Sequence, residues 1–255
     1  MKISINTPSY NRFKVETLSY LPFCKVWVSE EQLEEYKANN KGFEDNFRIL
    51  SRQGNVSIAR NEILRKEFAD GADVVCMVDD DLKGIYHFEK SPGSKFGYEK
   101  HLVTADEFED FIYKHTVMAQ DLGAYLWGVN LNKDSLNYRH CQPISTASII
   151  LGPFSCHLKG SGIWYDERIP LKEDYDLALQ HLNRYRKILR MNKFHYDCKQ
   201  STNAGGCATL RNYKTEKEQF ELLQKKWGKD IVRQDKTSKK EFDYNPIIKV
   251  PISGV

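Results

Sequence analysis

Hydrophobic and polar positions along this chain follow two periods that take turns. Residues 2–6 and 24–29 alternate as strands, and 47–50 reads as a short third one. Val74-Val75-Cys76-Met77-Val78 is a continuous apolar run rich in β-branched valine, the pattern of a strand buried on both faces. Between these runs the helical period takes over. Residues 30–37 read as a helix, with Ser29 as N-cap and Gln32 three positions on. Residues 55–69 carry a stripe of Ile58, Ile63, Leu64 and Phe68. Residues 104–121 open with Thr104 and Glu107 in capping-box spacing. Further on, 125–131 and 148–151 read as strands, and 192–197 as a late one. Residues 174–190 read as a helix with Leu177, Leu182, Tyr185 and Leu189 as its stripe, and 215–229 as a short helix. Residues 198–211 are glycine-rich and loop-like, and 235–255, with Pro246 and Pro251, read as irregular. The alternation predicts an α/β fold, a mixed, mainly parallel sheet flanked by helices.

The length of 255 residues suits one large domain over 1–213, with 214–255 as a C-terminal helix and basic extension. Hydrophobic residues make up 40% of the chain, enough for a core, yet no apolar run reaches membrane-spanning length. The opening Met1-Lys2-Ile3-Ser4-Ile5-Asn6 is too polar for a signal peptide. The six cysteines have no CxxC spacing, which predicts reduced thiols in a cytoplasmic protein and no structural zinc. Net charge is +3, but residues 225–240 carry +5, from Lys225, Lys226, Lys229, Arg233, Lys236, Lys239 and Lys240 against Asp230 and Asp235. A basic end on a near-neutral body fits a polyanionic partner.

The buried-strand pattern at 74–78 stops at Asp79-Asp80-Asp81. Aspartate is disfavoured in strands, and three adjacent carboxylates repel, so a cation is expected to compensate them. In an extended segment Asp79 and Asp81 share one face, and their oxygens suit Mg²⁺ or Mn²⁺. The carboxyl edge of a parallel sheet is where open α/β folds place ligands.

Three further segments stand in order around this one: Pro8-Ser9-Tyr10-Asn11-Arg12 after the first strand, Gly54-Asn55-Val56-Ser57-Ile58-Ala59-Arg60-Asn61 at a helix start, and Lys172-Glu173-Asp174-Tyr175-Asp176 opening a later helix. The ordered set, over roughly residues 3–190, resembles the GT-A glycosyltransferases. The resemblance implies a Rossmann-like fold, a nucleotide-sugar donor such as a UDP-sugar, and a divalent metal that neutralises the diphosphate leaving group. It places the metal on Asp81 with Asp79, the general base on Asp174 of the Glu173-Asp174 pair, and nucleobase and ribose contacts on Pro8, Tyr10, Arg12 and Glu30. Asp79 and Asp80 join the donor contacts, and Arg60 or Arg12 supplies a guanidinium to phosphate. Some GT-A enzymes place a C-terminal histidine on the metal, which points to His195.

The last third narrows the match. The Glu173-Asp174 helix start, then Phe194-His195-Tyr196-Asp197, then Ser201-Thr202-Asn203-Ala204-Gly205-Gly206 resemble the TET-associated glycosyltransferase family. That family occurs mainly in phages, so a phage-encoded member works in host cytoplasm. It is linked to glycosylation of 5-hydroxymethylated pyrimidines in DNA, which implies a flipped base in duplex DNA as acceptor. Arg184, Arg186, Lys187, Arg190 and Lys193, interleaved with Tyr185 and Phe194, add a candidate phosphate-binding surface. Two other readings compete. A GT-A enzyme acting on a protein, glycan or small molecule leaves those cations as a solvated face, and a non-catalytic nucleotide-binding module needs no base. Residue by residue, Arg60 pairing with Glu62 or Glu67 and Glu173-Asp174 as first-turn acids are the bland alternatives.

Overall fold

A computed structural model describes residues 1–52, 54–94, 97–198, 212–235 and 244–250. In chain order the elements are β1 (Ile3–Pro8), α1 (Thr17–Tyr20), β2 (Lys25–Ser29), α2 (Leu33–Asn39), β3 (Phe47–Leu50), α3 (Val56–Ala69), β4 (Val74–Val78), β5 (Leu82–Lys90) and β6 (Tyr98–Val103). They continue with α4 (Ala105–Asp121), β7 (Leu126–Asn130), β8 (Ile144–Ser145), β9 (Phe154–Leu158), α5 (Glu173–Tyr185), β10 (Leu189–Cys198), α6 (Tyr213–Trp227), β11 (Val232–Gln234) and β12 (Pro246–Ile248).

One mixed sheet runs β3-β2-β1-β4-β9-β7-β10-β5-β6, with β8 beside β10. β3, β2, β1 and β4 are all parallel. β9 then lies antiparallel between β4 and β7, and β7 and β10 are parallel again. β5 and β6 finish the sheet as an antiparallel hairpin. The carboxyl ends of β1, β2, β4 and β7 therefore meet at one edge, where the order reverses and open α/β sheets bind ligands.

All five residues of β4 are buried, as the apolar run predicts. Each such valine contributes on the order of 1.5–3 kcal/mol through burial. A large core packs α1, α2 and α4 against one face, and a second cluster around Ile63, Leu64, Leu177 and Leu182 packs α3 and α5 on the other. α3 starts one residue later than expected because Asn55 is its cap, accepting from the Ser57 and Ile58 N–H groups. It buries Arg60, Asn61, Glu62 and Glu67 beside Ile63 and Leu64, so its polar side also faces protein. The Thr104–Glu107 capping box forms on α4.

The structure corrects four expectations. Ser29 caps nothing through its side chain. A 3-10 turn, Glu30–Gln32, intervenes, and Gln32 reaches Asn11 instead. Residues 148–151 form no strand, because Gly152-Pro153 follow and the extended segment is β9. α5 ends at Tyr185, where Arg186 turns left-handed with φ 64°, so Leu189 belongs to β10 and not to the helical stripe. Residues 246–248 are not irregular: they pair with β11. The glycine-rich 199–211, including Asn203–Gly206, lies outside the described residues.

The C-terminal part packs on the body. Lys172 and Glu216, both buried, pair at 2.5 Å. Buried Asp176 accepts from Lys226 Nζ and from Trp227 Nε1 at 2.7 Å. These bonds dock α6 on the first turn of α5. No helix among the described residues is long and apolar enough to cross a membrane.

Candidate active site

β4 ends at Val78, and Asp79-Asp80-Asp81 turn the chain into β5, with the Leu82 N–H bonded to the Asp79 carbonyl at 3.3 Å. Asp79 and Asp81 do not share a face by strand alternation, because they stand in a turn. Each carboxylate has its own surroundings instead. Asp79 Oδ1 accepts from Arg60 Nη2 at 3.1 Å. Asp80 is buried and accepts from Ser9 Oγ at 2.5 Å and Arg12 Nη1 at 2.6 Å. Asp81, also buried, lies 3.5 Å from Arg12 Nη1. Thr17 clamps the turn: its hydroxyl donates to the Asp79 carbonyl at 2.6 Å and accepts from the Leu82 N–H at 2.9 Å.

The sequence-predicted donor residues gather beside this turn. Pro8 is the last residue of β1, and the next N–H, of Ser9, donates to the Trp27 carbonyl. Asn11 adopts φ 56°, a left-handed position that asparagine tolerates, and this reverses the chain so that Arg12 reaches back to Asp80. Tyr10 is 49% exposed. Glu30 follows β2 and is exposed at the same edge. Tyr36, which sequence reasoning passed over, completes the turn: its hydroxyl bonds Ser9 Oγ at 2.8 Å and accepts from the Arg12 N–H at 3.1 Å. Thr17 and Gly152 were missed too, and Ser9 was named only as part of its turn. A buried tyrosine hydroxyl needs a partner, and that was the one available signal.

Arg60 is only 3% exposed and joins the two acidic groups. Its Nη1 donates to Glu173 Oε1 at 3.1 Å, and its Nη2 to Asp79 and to the Gly152 carbonyl at 3.2 Å. A Cβ on residue 152 would sit 3.0 Å from Nη2, so glycine permits that approach. Glu62 pairs with Lys66 and Glu67 with Lys25, which removes the bland surface reading of Arg60. Nη1 and Nη2 of the guanidinium are thus both engaged by protein acceptors.

Glu173 and Asp174 open α5. Burial and the neighbouring Asp174 push Glu173 up to about 8, against the pull of Arg60. Burial raises Asp174 as well, while the N–H groups of Gly152, at 3.1 Å, and Tyr175, at 2.8 Å, favour its charged form.

His195 is not brought to the carboxylates. It is buried against Tyr86 and Phe88 with neither ring nitrogen hydrogen-bonded, and burial lowers it to about 4. It pairs with Tyr86, four residues into β5 from Leu82, or about 13 Å along the strand. Cys198, opposite Leu82, occupies the place expected for the histidine. Asp79 and Asp81 both raise its thiol, after burial. Among the described residues, no group of three or more His, Cys, Asp or Glu side chains converges as a ready metal site. The carboxylates still fit a divalent cation of the substrate-bound kind, which takes one or two of them plus substrate phosphates.

Beside Asp174 opens a cleft of about 350 Å³, walled by the end of β7, residues 147–149, Leu151, Tyr175, Arg190 and the Pro246 and Ile248 side of β12. The cation cluster expected over 184–193 is split by the end of α5. Arg184 lies about 16 Å along the helix from Glu173, and only Arg190 reaches the cleft.

No family model and no curated protein matches the chain. Solved structures do. Glucosyl-3-phosphoglycerate synthase from Mycobacterium tuberculosis, in complex with Mn²⁺, UDP and phosphoglyceric acid, is 12% identical and superposes with a TM-score of 0.51, covering 97% of this chain and 86% of that one. The fold is GT-A. S. aureus TarS 1-349 is 15% identical with a TM-score of 0.45, covering 87% of this chain and 65% of the other. The present chain thus spans just under two thirds of that TarS chain.

Proposed function

We propose that this protein is a divalent-cation-dependent glycosyltransferase of the TET-associated family, moving a sugar from a UDP-sugar to the hydroxyl of a 5-hydroxymethylated pyrimidine in DNA. One observation carries the reading: within a GT-A fold, Arg60 joins the Asp79-Asp80-Asp81 turn to the Glu173-Asp174 helix start at one sheet edge. The known structures that share the fold include complexes with UDP-GlcNAc and with UDP and Mn²⁺.

Asp79 and Asp81 are the residues to hold Mg²⁺ or Mn²⁺, which when bound supplies charge neutralisation at the departing diphosphate. The Pro8–Arg12 turn, with exposed Tyr10 and Glu30, receives the nucleoside. Asp174 removes the acceptor proton as the hydroxyl oxygen bonds the anomeric carbon and the bond to the diphosphate breaks. Asp174 suits this role better than Glu173. Two N–H donors favour its anion, whereas burial and the neighbouring Asp174 push Glu173 up against the pull of Arg60. His195 is kept in the proposal only as a packing residue behind Cys198.

The DNA acceptor is supported by charge placement. α6 docks through Lys226 and Trp227 on Asp176, so exposed Lys225, Lys229 and Arg233 stand at the same end of α5 as Asp174. Lys226 itself is consumed by Asp166 and Asp176.

Incubation of hydroxymethylated DNA with a panel of nucleotide sugars and Mn²⁺, then digestion and mass spectrometry, tests the whole reading. A hexose or N-acetylhexosamine shift on the base is expected. Turnover of a donor with the DNA unmodified refutes the acceptor, and no turnover of any donor refutes the enzyme.

A further inference from the structure

The arginines near the proposed site differ in one respect. Arg12, Arg52, Arg60 and Arg168 each face a carboxylate within 3.1 Å. Arg190 does not. Its side chain is half-buried on β10 and lines the cleft next to Asp174. Its Nε donates to Asn192 Oδ1 at 2.9 Å and its Nη1 to the Ile149 carbonyl at 3.4 Å, both neutral acceptors. Among the described residues no carboxylate pairs with it, and none lines the cleft. Guanidinium stays charged at any accessible pH. A desolvated cation without a counterion is unfavourable, and here burial lowers its proton affinity with only Tyr196 opposing. Among the described residues no acceptor faces Nη2, and the side chain lines the cleft. The remaining polar wall is uncharged, from Asn130, Asn132 and Ser148.

We propose that this cleft takes a phosphate group of the acceptor, and that Arg190 receives it. The assignment rests on the glycosyltransferase reading above, since it names the substrate class of the same site. Tyr175 follows Asp174 directly, and Leu151 precedes the glycine whose N–H holds Asp174, so a group seated on this wall lies next to the base. Phosphate matches the fork of a guanidinium with paired N–H···O bonds, and the charge-assisted pair replaces the missing counterion. At about 350 Å³ the cleft accommodates one flipped nucleotide and not a duplex. The phosphate comes either from a backbone phosphodiester or from a free mononucleotide, and the two are separable.

Three acceptors are compared with the wild-type protein and one sugar donor: 5-hydroxymethyldeoxycytidine, its 5′-monophosphate, and a short oligonucleotide containing it. The expected result is a kcat/KM at least 10-fold higher for the phosphorylated acceptors than for the nucleoside, carried by KM. Arg190→Gln should cut that preference by about 10- to 100-fold, the range of one charge-assisted contact, and Arg190→Lys should restore part of it. Inorganic phosphate should compete with acceptor and not with donor in the wild type, a test independent of whether the variants fold. Preference for the oligonucleotide over the monophosphate assigns a backbone phosphate, and equal use of both assigns a terminal one. A wild type that uses the neutral nucleoside equally well, or an Arg190→Gln variant that folds and keeps the preference, overturns the proposal while leaving the enzyme reading intact. Absence of any sugar transfer overturns that reading first.

Discussion

Replacing Arg60 with methionine tests the link between the two acidic groups. The change keeps the unbranched apolar stem and removes three donated bonds, to Glu173, Asp79 and the Gly152 carbonyl. The contributions are unequal. The Asp79 side chain is 34% exposed, so water can replace its lost partner, and this contact is worth less than about 1 kcal/mol. Glu173 and the Gly152 carbonyl are buried, and stranding them costs about 1–3 kcal/mol each. The expected loss is therefore about 2–7 kcal/mol, a range that contains the 3–5 kcal/mol of other broken buried pairs, or roughly 4–28 °C in Tm for a chain of this size. Glu173→Gln on the Arg60→Met background should return about 1–2 kcal/mol, because a neutral amide does not strand a charge. Mn²⁺ should raise the Tm of Arg60→Met more than that of the wild type, since it replaces the positive charge lost beside Asp79. Urea and thermal unfolding of the four proteins, with and without Mn²⁺, measure all of this. Loss below 1 kcal/mol, or strict additivity of the two substitutions, refutes the bridge.

Chelation should abolish transfer, Mn²⁺ or Mg²⁺ should restore it, and Asp81→Asn should lose most turnover with its fold intact by circular dichroism; full activity of that variant in EDTA would remove the metal role. Asp174→Asn should lower kcat by about 10²–10⁴-fold with donor affinity nearly constant, and a dead Glu173→Gln beside a normal Asp174→Asn would exchange the two roles. Burial and Arg184 hold His181 down to about 3, well below an unfolded histidine near 6.5. The unfolded state therefore takes the proton first, and stability should fall below pH 6.5 by about 1.4 kcal/mol per unit from this group until the folded histidine titrates too. His181→Gln should flatten that slope in urea titrations between pH 7.5 and 5. Binding to duplex DNA should weaken steeply with salt, by about 0.9 in the log–log slope per phosphate contact, and charge reversal at Lys225, Lys229 and Arg233 should reduce it. Lys226 is left out because its loss would undock α6 from Asp176.

Patterns that depend on one segment alone were legible from the chain. β4 announced itself because all five positions are buried, and α4 because its capping box is local. β5 and β6 did not. Leu82–Lys90 places charged residues and a glycine in a strand that is only partly covered, and Tyr98–Val103 is a mostly exposed edge. β9, Phe154–Leu158, hides a serine and a histidine whose partners, Ser155 to His157 and His157 to Tyr165, are invisible before folding. The site followed the same division. Asp79-Asp80-Asp81, Arg12, Arg60 and Glu173-Asp174 were picked out by residue type and order. Their partners were not, since Thr17, Tyr36 and Gly152 act across the sheet edge through backbone and hydroxyl bonds that no local spacing encodes.

β12 stands apart from the main sheet, yet Pro246 and Ile248 form part of the cleft wall beside Asp174. The proposed nucleotide side is complete by Asp81, whereas the facing wall is assembled from segments after β6. Grafting exchanges the two ends independently: a foreign 214–255 segment that keeps Glu216, Lys226 and Trp227 for docking should re-aim which molecule is glycosylated and leave the choice of sugar nucleotide unaltered.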